Sequence, residues 1–112
     1  MSGAADSVES LQERISQIVR ARGWDELRTY KDLATAIAIE AAELQEIFLW
    51  RTRDEEPDLL ETERAAIESE VADIFIYLLG FVDRAGIDLI GASHHKLHEV
   101  ERRHPKPGDA GR

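Results

Sequence analysis

Two long stretches of this chain carry apolar residues at helical spacing, and each has a pair of acids set into it. The first is Leu33 to Trp50, LATAIAIEAAELQEIFLW, with Glu40 and Glu43. The second runs through IESEVADIFIYLLGF, with Glu70 and Asp73. At about 100° per residue, Leu33, Ile37, Leu44, Ile47 and Phe48 fall on one stripe, and Glu40 projects from inside it with Glu43 on its flank. In the second stretch Ile67, Val71, Ile74, Leu78, Phe81, Val82 and Ala85 form the stripe. Glu70 lies at its edge beside Tyr77, and Asp73 lies one step further out. Acids three residues apart share a helix face, and most such pairs are simply solvated. A carboxylate aimed at a core is different, because an uncompensated buried charge costs several kcal/mol. Two such pairs on two helices therefore call for a cation between them.

The rest of the chain extends this helical pattern. A first helix is expected from about Ser7 to Arg22, with Val8, Leu11, Ile15, Ile18 and Val19 at helical spacing and Gly23 as its cap. Trp24 to Tyr30 reads as a connector. The second helix is expected to start at Asp32, taken as N-cap, and to reach Trp50. Arg51 to Leu60 reads as a charged loop containing Pro57. A third helix is expected from about Thr62 to Ala85, with no capping box at its start. Gly86 ends it, and Asp88 caps a fourth helix that reaches about Arg103 before Pro105. No stretch alternates with the period of a strand. The expectation is an all-α chain: a loose start over residues 1–6, a four-helix bundle domain over 7–104 and a flexible tail over 105–112.

At 112 residues the chain holds one modest core. Its apolar stripes are wide for that size, and association would cover them, so a homodimer or homotetramer is expected. The net charge of −9 argues against a nucleic acid polymer as partner, though not against a free nucleotide carried with its own metal. With no cysteine there is neither disulfide nor thiolate chemistry. The first ten residues lack the basic and apolar regions of a signal peptide, and no stretch approaches a membrane span. A cytoplasmic location is expected, with no membrane partner.

Four carboxylates on two packed helices make a hard, oxygen-only site. Mg²⁺ suits such a site, at about 2.1 Å from its ligands, and commonly keeps waters or substrate phosphates in its shell. An ion held there can activate water against phosphorus and neutralise the charge that develops on phosphate oxygens. A di-iron bundle would need two Glu-x-x-His units, and Glu101 with His104, hard against Pro105, is the one such spacing. His94, His95 and His98 have no cysteine or nearby carboxylate to complete a zinc site, and read as a surface cluster. Lys31, Lys96, Arg102 and Arg103 are possible phosphate contacts, with Lys96 placed on the inward side of the fourth helix near Leu97 and Val100.

The chain resembles the MazG-like all-α nucleoside triphosphate pyrophosphohydrolases, and most closely their small dCTP pyrophosphatase branch. The matching text is Trp24-Asp25-Glu26-Leu27, then Leu33 to Trp50, then Glu63 to Leu89, with a looser match from Lys96 to Pro105. It departs from the pattern of many relatives at Ile15, Ile39, Ala42 and Val100. The resemblance implies Glu40, Glu43, Glu70 and Asp73 as Mg²⁺ ligands, with Mn²⁺ as a substitute. It implies Trp24, Asp25, Glu26, Leu27, Arg28, Trp50 and Tyr77 as parts of a nucleotide pocket. The implied reaction cleaves a nucleoside triphosphate, a pyrimidine deoxynucleotide such as dCTP, to the monophosphate and pyrophosphate. If both acid pairs face one metal, Trp50 and Tyr77 are expected on the same side of it, holding the base. The competing reading is a non-enzymatic helical interaction module whose acids are solvated surface.

Overall fold

The computed structural model describes residues 7–108. The expected loose start over residues 1–6 and the last part of the expected tail, residues 109–112, lie outside the described residues. Within them the chain forms five α-helices and two short 3₁₀ turns, with no strand. Helix α1 is Val8–Ala21, followed by a 3₁₀ turn at Trp24–Glu26. Helix α2 is Tyr30–Phe48, then comes a 3₁₀ turn at Arg53–Glu55. Helices α3 (Glu56–Thr62), α4 (Arg64–Ala85) and α5 (Leu89–Arg103) complete the order. No helix among the described residues is long and apolar enough to cross a membrane.

The all-α expectation holds, with two local corrections. Asp32 is not the N-cap of α2. Thr29 is: its hydroxyl accepts from the Asp32 N–H at 3.0 Å, and the Asp32 carboxylate accepts from the Thr29 N–H at 3.0 Å. The two form a reciprocal capping box that starts the helix three residues early. The stretch read as a charged loop contains α3. A second capping box, Thr52 with Glu55, turns the chain. Pro57 then sits in the first turn of α3, where its missing N–H leaves no bond unmade. Helix α3 stops at Glu63, whose φ of −106° and ψ of 21° leave the helical region, and α4 begins at the next residue. Gly23 and Gly86 end α1 and α4 at φ of 69° and 67°, left-handed values that a side chain would strain. Asp88 caps α5 as expected, accepting from the Gly91 N–H at 3.0 Å.

The main packing is α2 against α4, and α1 lies more lightly on α4. The pair runs antiparallel. Tyr30, the first residue of α2, meets Phe81 edge-on with ring centroids 5.4 Å apart, and its hydroxyl donates to the Arg84 carbonyl at 3.0 Å. Among the described residues Leu33, Leu59, Leu79 and Val82 are the buried apolar ones, and Leu79 is fully buried. Leu79 lies off the stripe expected for this helix, whereas Val71, which lies on it, is 48% exposed. Three neighbouring helices touch α4, and its apolar surface wraps further than one stripe. Helix α5 packs only weakly on the others, leaving Ile90, Leu97 and Val100 exposed. The radius of gyration is 18.0 Å, against about 13 Å for a compact chain of this length.

Candidate active site

The antiparallel pairing of α2 and α4 brings three acids together near their middles. Glu40 and Glu43 come from α2 and Glu70 from α4, and one oxygen of each lies within 4.8 Å of the others. The stripe residues explain the placement. Leu33, Ile37 and Leu44 turn their face of α2 toward α4, and Glu40 is carried in with them. Glu40 and Glu70 are half-buried, whereas Glu43 is exposed at the rim. The Oε2 atoms of both Glu40 and Glu70 are shielded from solvent and have no hydrogen-bond partner among the described residues.

The electrostatics follow from that geometry. Burial pushes the Glu40 carboxyl up from 4.5 to about 7, helped by the facing Glu43 carboxylate and the charges of Asp73 and Glu70. Burial, with Glu43 and Asp73, raises Glu70 in the same direction. Asp73 is thus close enough to act on both, but it stands outside the group of three whose oxygens converge. No lysine or arginine is paired with Glu40 or Glu70 among the described residues. Two buried carboxylate oxygens without donors, facing a third acid, have the chemistry of an oxygen-only cation site. A solvated surface pair would not leave such atoms unmet.

Beside the cluster a cleft of about 470 Å³ opens between the end of α2 and the start of α4. Glu43 and Glu70 line it together with Glu46, Arg51 and Glu63. Arg51 was read from sequence as part of a charged loop, and the wall that Leu59 gives the cleft depends on α3, which the sequence reading missed.

The aromatic residues divide between two ends. In an antiparallel pair, residues after Glu43 and residues after Glu70 run in opposite directions from the cluster. Trp50 therefore lies beyond the cluster on one side and Tyr77 on the other, which corrects the expectation that they share a side. Trp50 is 86% exposed. Tyr77 instead meets the connector: the Arg28 guanidinium lies 5.7 Å from its ring centroid and 4.9 Å from that of Trp24. Asp25 and Glu26 share the 3₁₀ turn with Trp24, and Leu27 follows it, largely exposed. Lys31 is exposed near the start of α2 beside Asp32. Lys96 is not inward as expected. It is exposed on α5 and pairs with Glu99 at 3.4 Å, because α5 does not fold down onto the other helices.

Sequence reasoning also missed Arg84. Its guanidinium donates to the backbone carbonyls of Arg28 and Asp25 and lies 5.6 Å from the Tyr30 ring centroid. The only signal was a cation in the last turn of a helix, where it favours the dipole whatever else it does.

No family model matches the chain. It is 32% identical over 102 residues to dCTP pyrophosphatase 1 of Bos taurus and 31% identical to that of Homo sapiens. These matches cover 88% of this chain, which spans about 60% of the length of those relatives. A solved pyrophosphatase from Archaeoglobus fulgidus superimposes with a TM-score of 0.84 at 43% identity, over 88% of this chain and 92% of that one. A shared helical fold, the level of identity and the converging acids lead to one conclusion: the chain belongs to the MazG-like family of all-α nucleoside triphosphate pyrophosphatases.

Proposed function

We propose that this chain hydrolyses a nucleoside triphosphate, preferentially a pyrimidine deoxynucleotide such as dCTP, to the monophosphate and pyrophosphate. The observation that carries the reading is the pair of buried, partnerless oxygens of Glu40 and Glu70 beside Glu43. The names of the dCTP pyrophosphatase relatives support the substrate class. Glu40, Glu43, Glu70 and Asp73 would hold Mg²⁺, and a hard oxygen-only donor set fits that ion, with Mn²⁺ as a substitute. Bound there, the ion supplies charge neutralisation on the phosphates and activation of water.

The chain's own residues do the remaining work. The cluster repels a bare triphosphate, which favours substrate that arrives with its counter-cation. Arg28 holds a guanidinium between Trp24 and Tyr77, where it can turn to a phosphate while the rings take the base. Trp50 is too exposed and too far along the opposite direction to join Tyr77 within one chain. It enters the base site from a second copy. The extended radius of gyration and the uncovered Ile90, Leu97 and Val100 support a homodimer or homotetramer. No nucleic acid polymer or membrane is needed, and a cytoplasmic location is consistent with the proposed substrate.

The decisive experiment is a pyrophosphate-release screen over the common nucleoside triphosphates with and without Mg²⁺. Release from dCTP that needs the metal is expected, and no release from any nucleotide would overturn the proposal. The trans position of Trp50 is checked by co-expressing Trp50→Ala with Glu70→Gln. Mixed assemblies should recover activity that neither variant shows alone. No recovery would place Trp50 in its own chain's site or outside any site.

A further inference from the structure

The connector between α1 and α2 has no helix of normal length and no buried side chain. It nevertheless carries Trp24 and Arg28 in one arrangement. Gly23 at φ 69° sets its start and the Thr29 capping box sets its end. Between them, the described contacts that tie its backbone to the rest of the molecule come from Arg84. One guanidinium nitrogen donates to the carbonyl of Arg28 and the other to that of Asp25. The backbone carbonyl of Arg84 in turn accepts from the Tyr30 hydroxyl at 3.0 Å, and its guanidinium lies against the Tyr30 ring. The planar fork of arginine can bridge two carbonyls in fixed directions, which a lysine ammonium does not reproduce.

We infer that Arg84 is a positioning residue: it clamps the Trp24–Arg28 connector to the end of α4 and so presents the Trp24 ring and the Arg28 guanidinium to the substrate. Its role is positioning and not contact with substrate or metal: two guanidinium nitrogens donate to the connector carbonyls, and the guanidinium lies against the Tyr30 ring. The role rests on the proposed nucleotide site, but the clamp itself is a statement about the free protein. Loss of the clamp should loosen the connector and weaken nucleotide binding, while the acid cluster, two turns or more away along α4, keeps its geometry.

The test uses Arg84→Lys and Arg84→Ala in the full chain, assayed with dCTP and Mg²⁺. Arg84→Lys should raise KM about tenfold while kcat changes by less than about threefold. Millimolar guanidinium should restore much of the loss in Arg84→Ala and have no such effect on Arg84→Lys, whose ammonium fills the space. A second reading does not depend on activity. With Trp50→Phe as background, Trp24 is the sole tryptophan, and Arg84→Lys should make its fluorescence in the nucleotide-free protein more easily quenched by acrylamide. Unchanged quenching, or a collapsed kcat at constant KM, would overturn the clamp. If dCTP is not cleaved by the unaltered protein, the proposed function fails and the quenching arm still decides the clamp.

Discussion

Asp32 and Glu40 lie two turns apart on the same helix, and their surroundings push them in opposite directions. The Asp32 carboxylate accepts the Thr29 backbone N–H and faces the Thr29 hydroxyl, and those bonds hold its carboxyl below the usual 3.8. The Glu40 Oε2 atom has no donor among the described residues, and burial among other acids raises the carboxyl to about 7. Glu55 repeats the first case at the next turn, held down by the Thr52 N–H. An acid with donors stabilises the chain as it stands. An acid without them is stabilised only by a ligand that has not yet arrived. The difference separates carboxylates that build the fold from those available for chemistry, although all read alike as letters.

The largest effects should come from reversing the roles at the cluster. Glu40→Gln, Glu43→Gln, Glu70→Gln and Asp73→Asn should each lower turnover more than the about 10–100-fold typical of losing an outer partner of a metal site. Helical circular dichroism should persist, and the metal-free melting temperature of Glu40→Gln should be equal or higher, because repulsion has been removed. Full turnover in any two of these variants would merge the cluster with the ordinary surface acids.

The next effect is on stability against pH without metal. Glu40 holds its proton more tightly folded, to about 7, than unfolded, near 4.5. Folding therefore takes up protons in that window, and stability should fall as pH rises across it, with Glu70 acting in the same direction. Mg²⁺ should flatten the decline. Asp32 has the opposite sign: its contribution is present above pH 3.8 and is lost as pH falls below that value. A metal-free melting temperature that stays level from pH 4.5 to 7 would mean that the cluster is open to water, and the contrast with Asp32 would vanish.

The smallest effect belongs to the caps. Thr29→Ala should cost about 1 kcal/mol of stability, measured by urea unfolding. Metal affinity by calorimetry should change little, since the cluster lies about three turns further on. A loss of metal affinity comparable to that of Glu40→Gln would show that the start of α2 and the cluster are one unit.

How much of this was legible depended on whether the deciding contact leaves a mark in sequence. Glu40 could be placed inward because Leu33, Ile37 and Leu44 define a face by spacing alone. Asp88 could be named as a cap because it precedes a helical stretch. Asp32 was given the wrong position in its cap because Thr29 lies three residues back, ahead of an exposed Tyr30 that hid the start of the helix. Helix α3 was read as loop because Pro57 looks like a breaker until its place in a first turn is known. A helical wheel carries no direction of packing, so it could not show that Trp50 and Tyr77 point away from each other. Arg84 was hidden most deeply: it binds backbone carbonyls 56 and 59 residues away, and a carbonyl is the same on every residue.

The weakly packed α5 has a consequence for how the protein responds to dilution. If the proposed association covers the apolar face of α5, folding and assembly share one equilibrium, and the melting temperature should rise with protein concentration. Chain abundance then sets the fraction of molecules in the assembled form. A modest fall in expression would lower activity more than in proportion, because each site lost to dissociation is lost in addition to those never made.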